Sequence, residues 1–239
     1  MRYLEQNPLV EDLFPHSNQF YWGSCFCTAQ DFLVQASPLI TARRLEKFKN
    51  VIAHKTYTVT PVLERVDDLG NKSAVLRSAE AMGLQSIHII NGQRIKRCNR
   101  VSMGSEKWMD LFRHDNTKEC LAHLKNQGRQ ILITDVGPLA KPLWEFDFTR
   151  PTAIVFGNEK TGVSDTAKKM ADGYCKIPTV GFAQSLNISV AAAISFNAIY
   201  LQRIERLGCH GDLAQGQQEI LLAHYLMKCL RNPRSYPHF

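Results

Sequence analysis

Three short segments of this chain carry side chains whose types and spacing could do chemistry. One runs Gly181-Phe182-Ala183-Gln184-Ser185-Leu186-Asn187 and passes without a breaker into an alanine-rich apolar helix. Ser185 and Asn187 stand where that helix begins, so their side chains and its first free backbone N–H groups face whatever lies in front. Such a mouth can hold a small polar ligand, and a well-capped core helix gives the same pattern. A second segment is Gly70-Asn71-Lys72-Ser73 leading to Arg77, and a third is Gly157-Asn158-Glu159-Lys160-Thr161-Gly162. A phosphate loop needs Lys-Ser or Lys-Thr directly after its second glycine, but Val163-Ser164 follow here. No dinucleotide fingerprint, paired carboxylates or Ser-His-Asp arrangement suggests itself, and none of the eight histidines lies in the three segments. Alone, Glu159 reads as a solvated or ion-paired carboxylate and Arg77 as a surface arginine.

The elements that must position these groups follow from hydrophobic period. Strand-like runs at 58–66, 86–90, 131–136, 153–156 and 174–177 alternate with helical ones at 72–82, 117–127, 165–171 and 186–207. Gly83 and Gly128 end two of those helices. This rhythm predicts an α/β fold, a mostly parallel sheet with helices on both faces. Ligands of open parallel sheets bind at the carboxyl ends of the strands. All three polar-glycine segments fall at such edges or at helix starts, which predicts one composite site. Residues 1–40, with Pro8, Pro15, Pro38 and clustered aromatics, read as an extension of loops or short helices. Residues 41–56 read as a basic helix capped by Thr41. Leu45, Phe48, Val51 and Ile52 form its apolar side, and Arg43, Arg44, Lys47, Lys49 and Lys55 surround the rest. It is either a solvated surface helix or a nucleic-acid contact. Residues 208–239 form a C-terminal helical extension, with Leu213, Ile220, Leu221, Tyr225 and Leu226 as the apolar side of a helix at 212–231.

The 239 residues carry 29 Lys+Arg against 22 Asp+Glu, a formal charge of +7. That surplus suits a polyanionic partner, nucleic acid being the commonest, and also suits simple solubility. Seven scattered cysteines without a C-x-x-C pair indicate neither a disulfide framework nor a zinc site, which fits a reducing compartment. No apolar run approaches the roughly 18 residues of a membrane helix. Glu5, Glu11, Asp12 and Asp31 argue against secretory and transit signals, so the expectation is a cytoplasmic protein without a membrane partner.

Read together, the segments resemble a known family. Asn71-x-x-Ala74-x-x-Arg77-x-Ala79-x-x-x-Gly83, Gly157-Asn158-Glu159-Lys160-Thr161-Gly162, and Ile177-Pro178 with Gln184-Ser185-Leu186-Asn187-x-Ser189-x-Ala191 look like the three motifs of the SpoU/TrmH methyltransferases. These are RNA ribose 2′-O-methyltransferases of the SPOUT superfamily. The resemblance covers about residues 41–205. Within the family, 130–134, 147–161 and 184–190 look most like the tRNA guanosine-18 subgroup. Residues 1–40 fall outside it, and Leu69-Gly70 replace the more usual proline and histidine before Asn71.

The resemblance implies a methyltransferase domain at 57–207 with a C-terminal deep trefoil knot, working as a homodimer. S-adenosyl-L-methionine would lie in the knot, over Thr134, Gly157, Ile177 and Leu186, with Gly157 sparing the ligand a Cβ. Arg77 would be catalytic, gripping the RNA phosphate beside the ribose, with Asn71, Glu159, Ser185 and Asn187 around it. No metal is expected. The partner would be tRNA, methylated on the D-loop guanosine 18, bound through Arg43, Arg44, Lys47 and Lys55 and also Lys49, Arg94, Lys96, Arg97 and Arg100. An rRNA ribose methyltransferase and a catalytically silent knotted RNA-binding protein are the alternatives.

Overall fold

The computed structural model describes residues 13–90 and 104–230. They form two compact units, one of residues 56–210 and one of residues 13–55 with 211–230.

Among the described residues, the central unit has seven strands: β3 (Val59–Glu64), β4 (Ser86–Ile90), β5 (Asp110–His114), β6 (Gln130–Thr134), β7 (Lys141–Pro142), β8 (Thr152–Phe156) and β9 (Gly173–Lys176). Their order is β5-β4-β3-β8-β6-β9-β7, and every pairing is parallel. β3, β4 and β8 are buried along their whole length, as expected of strands covered on both faces. Neighbouring residues point to opposite faces. Leu63, Ile154 and Phe156 meet helices α3 (Leu69–Ala81) and α6 (Ile188–Leu207), whereas Val62, Ala153 and Val155 meet α4 (Thr117–Asn126) and α5 (Asp165–Met170). Gly83, Gly128 and Gly208 close α3, α4 and α6 with φ of 78°, 72° and 74°, the left-handed C-terminal stop that glycine takes without strain.

The second unit opens with an antiparallel hairpin, β1 (Gln19–Trp22) and β2 (Cys25–Thr28), turning at Gly23 with φ of 63°. Loops or short helices were expected here. Each strand has only four residues, and the register comes from cross-strand pairs such as Tyr21 against Phe26, ring centroids 4.9 Å apart. Thr28 and Asp31 form a capping box that starts α1 (Ala29–Ala36). Helix α2 (Ala42–Ile52) is capped by Thr41, and both α1 and α2 pack against α7 (Gln215–Leu230). Phe48 meets Tyr225 edge to face at 5.9 Å.

Candidate active site

The site grows from the loops at the carboxyl ends of β3, β8 and β9. Arg65 directly follows β3 with φ of 55°, a conformation that residues other than glycine, asparagine and aspartate seldom adopt. Its carbonyl accepts Asn158 Nδ2 at 2.8 Å, and the same amide reaches Asp67 Oδ2 at 3.2 Å. Asn158 Oδ1 in turn accepts the backbone N–H of Lys160 at 2.9 Å and of Thr161 at 3.2 Å. Asn158 and Gly162 also exchange both backbone bonds, at 3.1 and 2.8 Å. One asparagine thus closes its own loop and ties it to the loop after β3. The sequence offered only its place beside Gly157 as a signal for that role.

Gly157 needs a different explanation from the one expected. A Cβ there would collide with the Gly162 carbonyl carbon and sit 2.5 Å from the Val163 nitrogen. The crowding comes from the loop's own backbone before any ligand is considered.

A directional chain of hydrogen bonds joins all three motifs. Asn187 caps α6, and its Oδ1 accepts Ser189 N at 2.9 Å and Ser189 Oγ at 2.6 Å. Its Nδ2 must then face an acceptor, and it donates to Asn71 Oδ1 at 3.1 Å. Asn71 Nδ2 therefore points outward and donates to Glu159 Oε1 at 2.8 Å. Asn71 itself is held in the first turn of α3, where its N–H donates to the Asp68 cap at 2.6 Å. Beneath this chain, buried Glu64 accepts Thr117 Oγ1 at 2.5 Å, Ser164 N at 2.9 Å and Ser164 Oγ at 2.6 Å, linking the starts of α4 and α5.

Thr134, Gly157, Ile177 and Leu186 line one cavity of about 570 Å³, with Glu159, Ser185 and Asn187 on the same wall. Leu143, Ile177 and Leu186 give it apolar sides, while Asp135 and Glu159 add carboxylates. Thr134 also uses its hydroxyl to donate to the Val155 carbonyl at 2.9 Å, fastening β6 to β8.

Arg77 does not line this cavity. It is exposed on α3, and its side chain makes no hydrogen bond or ion pair within the described residues. It lies six positions after Asn71, which turns the two side chains to different faces of the helix. Next to Asn71, Lys72 is fully buried, and its Nζ has no hydrogen-bond partner within the described residues. Burial pushes this ammonium below its ordinary value, against the opposing pull of Asp67, Glu159 and Asp68.

Of the basic residues expected to meet RNA, Arg43, Arg44, Lys47 and Lys49 are exposed on α2. Arg44 leans on its own unit, 3.4 Å from Cys229 Sγ and 5.6 Å from the Phe48 ring centre. Lys55 is a correction. It is 1% exposed, so its ammonium is closed off from an external phosphate. Arg94, Lys96, Arg97 and Arg100 lie outside the described residues.

Known proteins resemble this chain in both sequence and fold. A tRNA (guanosine(18)-2′-O)-methyltransferase of Thermus thermophilus is 37% identical over 166 residues, 69% of this chain and 86% of that protein. The A. aeolicus TrmH/SpoU tRNA modifying enzyme superposes with a TM-score of 0.73 at 30% identity, over 79% of this chain and 97% of that one. The SpoU methyltransferase AviRb from Streptomyces viridochromogenes, solved in complex with the cofactor AdoMet, superposes with a TM-score of 0.57 at 26% identity. That match covers 61% of this chain and 57% of AviRb. Residues 58–197 match the SpoU rRNA Methylase family. That span takes in every strand of the sheet and all three hydrogen-bonded motifs, and the chain belongs to this family.

Proposed function

We propose that this chain transfers a methyl group from S-adenosylmethionine to a ribose 2′-hydroxyl of tRNA, guanosine 18 being the favoured target. The observation that carries the reading is the cavity shared by Thr134, Gly157, Ile177 and Leu186, edged by the hydrogen-bond chain Glu159–Asn71–Asn187. The tRNA (guanosine(18)-2′-O)-methyltransferase relatives favour tRNA over rRNA. Retention of Asn71, Arg77, Glu159, Ser185 and Asn187 together speaks against a silent binding protein.

The cavity suits S-adenosylmethionine. Its volume is that of a site for a drug-sized ligand. Leu143, Ile177 and Leu186 offer apolar walls to an adenosine, and Asp135 and Glu159 offer negative charge to a cationic ligand. When bound, this cofactor supplies an electrophilic methyl group. The protein's part is to orient the ribose and lower the charge cost of losing the hydroxyl proton. Asn71 and Asn187 fix Glu159 and the start of α6 in one geometry. Arg77 grips phosphate beside the reacting ribose by its planar fork.

The same reading includes the trefoil knot, supported by the strand order, in which β6 lies between β8 and β9 although it precedes both. It also includes a homodimer, supported by an exposed apolar stripe on α6 formed by Val190, Ile194, Leu201 and Ile204. Arg77, outside the cavity of its own chain, would then act at the subunit junction. The catalytic domain is taken as 57–207, flanked by 1–40, 41–56 and 208–239, with exposed Arg43, Arg44 and Lys47 as tRNA contacts. No helix of the described residues is long and apolar enough to cross a membrane, and a tRNA partner suits a protein of the cytoplasm.

Ribose-methylation mapping on unmodified tRNA incubated with protein and cofactor tests the assignment. A single new mark at guanosine 18 is expected. Marks only on rRNA, or none on either RNA with folded protein, would reject it.

A further inference from the structure

On the sheet face covered by α4 lies a group of metal-ligating side chains that the proposed methyl transfer does not use. The β4–β5 register sets His88 opposite Phe112, so His114, two residues further on, points to the same face as His88. His88 Nδ1 lies 2.8 Å from His114 Nε2. Cys120, on α4, brings its sulfur in from above, and one ligand atom from each of these three residues lies within 4.8 Å of the others. The Cys120 thiol is buried and finds no hydrogen-bond partner within the described residues. His123 follows one turn along α4, on the same helix face as Cys120. It is exposed and lies outside that 4.8 Å group, its ring centre 6.1 Å from that of His114 and 6.4 Å from that of His88.

We propose that His88, His114 and Cys120, completed when the exposed His123 side chain turns in toward them, form a tetrahedral zinc site that fastens α4 to β4 and β5. One thiolate and three imidazoles are ligands of the kind zinc takes, and four protein ligands make a closed structural site. The two facing ring nitrogens already converge on one point, which a shared hydrogen now fills. Zinc–nitrogen bonds near 2.0–2.1 Å place tetrahedral nitrogens about 3.4 Å apart, so the pair must open by only about half an ångström. Burial weighs most on Cys120, His114 and His88 and disfavours their charged forms; Glu64 and Glu119 set negative charge around Cys120, as Glu119 and Asp115 do around His114, while Arg129 acts in the opposite sense on His88. On binding, the zinc–sulfur bond forms as the Cys120 proton leaves to solvent. One imidazole moves its N–H to the ring nitrogen facing away, and nothing is oxidised or reduced. The ligands come from three elements, so no spacing in the sequence reveals them.

The test uses the full chain, stripped with chelator and titrated with Co2+ and then Zn2+ as probes. One equivalent of cobalt should give the strong visible absorption of a tetrahedral ion, with a thiolate charge-transfer band, and zinc should displace it. Cys120→Ser should lose the thiolate band, and His114→Asn should weaken zinc binding at least about tenfold. Cys25→Ser, in the other unit, should behave as wild type. Circular dichroism establishes that each variant is folded. The proposal is overturned by folded wild type that takes up no tetrahedral cobalt, its histidines being merely hydrogen-bonded. Unchanged spectra in both Cys120→Ser and His114→Asn overturn it equally. Metal uptake is read without RNA or methyl donor, so the methyltransferase assignment can fail independently.

Discussion

Arg77 holds a permanent charge on the outside of α3, and the proposed chemistry uses its shape as well as its sign. Lysine keeps the charge but lacks the planar fork. Arg77→Lys and Arg77→Ala should both fold and bind S-adenosylmethionine normally. In single-turnover assays at saturating tRNA they should transfer methyl groups at least about a hundredfold more slowly, the loss typical of a charge-stabilising group. A near-normal rate for Arg77→Lys would show that a point charge suffices, and one for Arg77→Ala would take this residue out of the mechanism. Lys72 is the opposite case, a cation enclosed without a hydrogen-bond partner in the described structure. Lys72→Met should raise stability by about 1–3 kcal/mol, the cost of an unsatisfied buried polar group. Because burial lowers the folded-state value below 10.5, the folded protein sheds this proton before the unfolded chain does. The unfolded state then binds more protons, so wild-type stability should rise with pH up to about 10.5, the unperturbed value. Denaturant unfolding at pH 8, 9 and 10 should show that slope in wild type and a weaker one in Lys72→Met.

At the level of elements, the loop after β8 sets the shape of the cavity. Gly157→Ala should cost about 1–3 kcal/mol, as overpacking does, and should weaken S-adenosylmethionine binding in calorimetry. Binding lost with unchanged stability would instead locate the crowding at the ligand. The strands and helices of the central unit were largely legible, since apolar runs such as 86–90 and glycine stops such as Gly83 act locally. β5 was not, because Asp110, Arg113 and His114 break its apolar pattern, and the two-residue β7 carries no period at all. Of the site, the motif residues were legible and their wiring was not. Asn158 reaches Arg65 across 93 positions, and a local pattern cannot hold a contact of that range. Lys55 failed for the same reason. A lysine beside a basic helix looks solvated until tertiary packing buries it.

At the level of the whole molecule, the stripe Val190, Ile194, Leu201 and Ile204 recurs at three- to seven-residue steps along α6 and is left exposed. Replacing Ile194 and Leu201 by arginine should convert the proposed dimer into a monomer in sedimentation at micromolar concentration. A wild-type protein already monomeric there would remove the subunit junction from the mechanism. The second unit has a consequence of another kind, one of timing. Its helices α1 and α2 pack against α7, which follows some 160 residues later in the chain. A ribosome releases all seven strands of the central sheet before it releases α7. Helices α1 and α2 must therefore wait, their apolar sides bare, until α7 has emerged. During that interval the chain is more exposed to misassociation than the folded protein, and the unit that α1 and α2 share with α7 matures after the sheet.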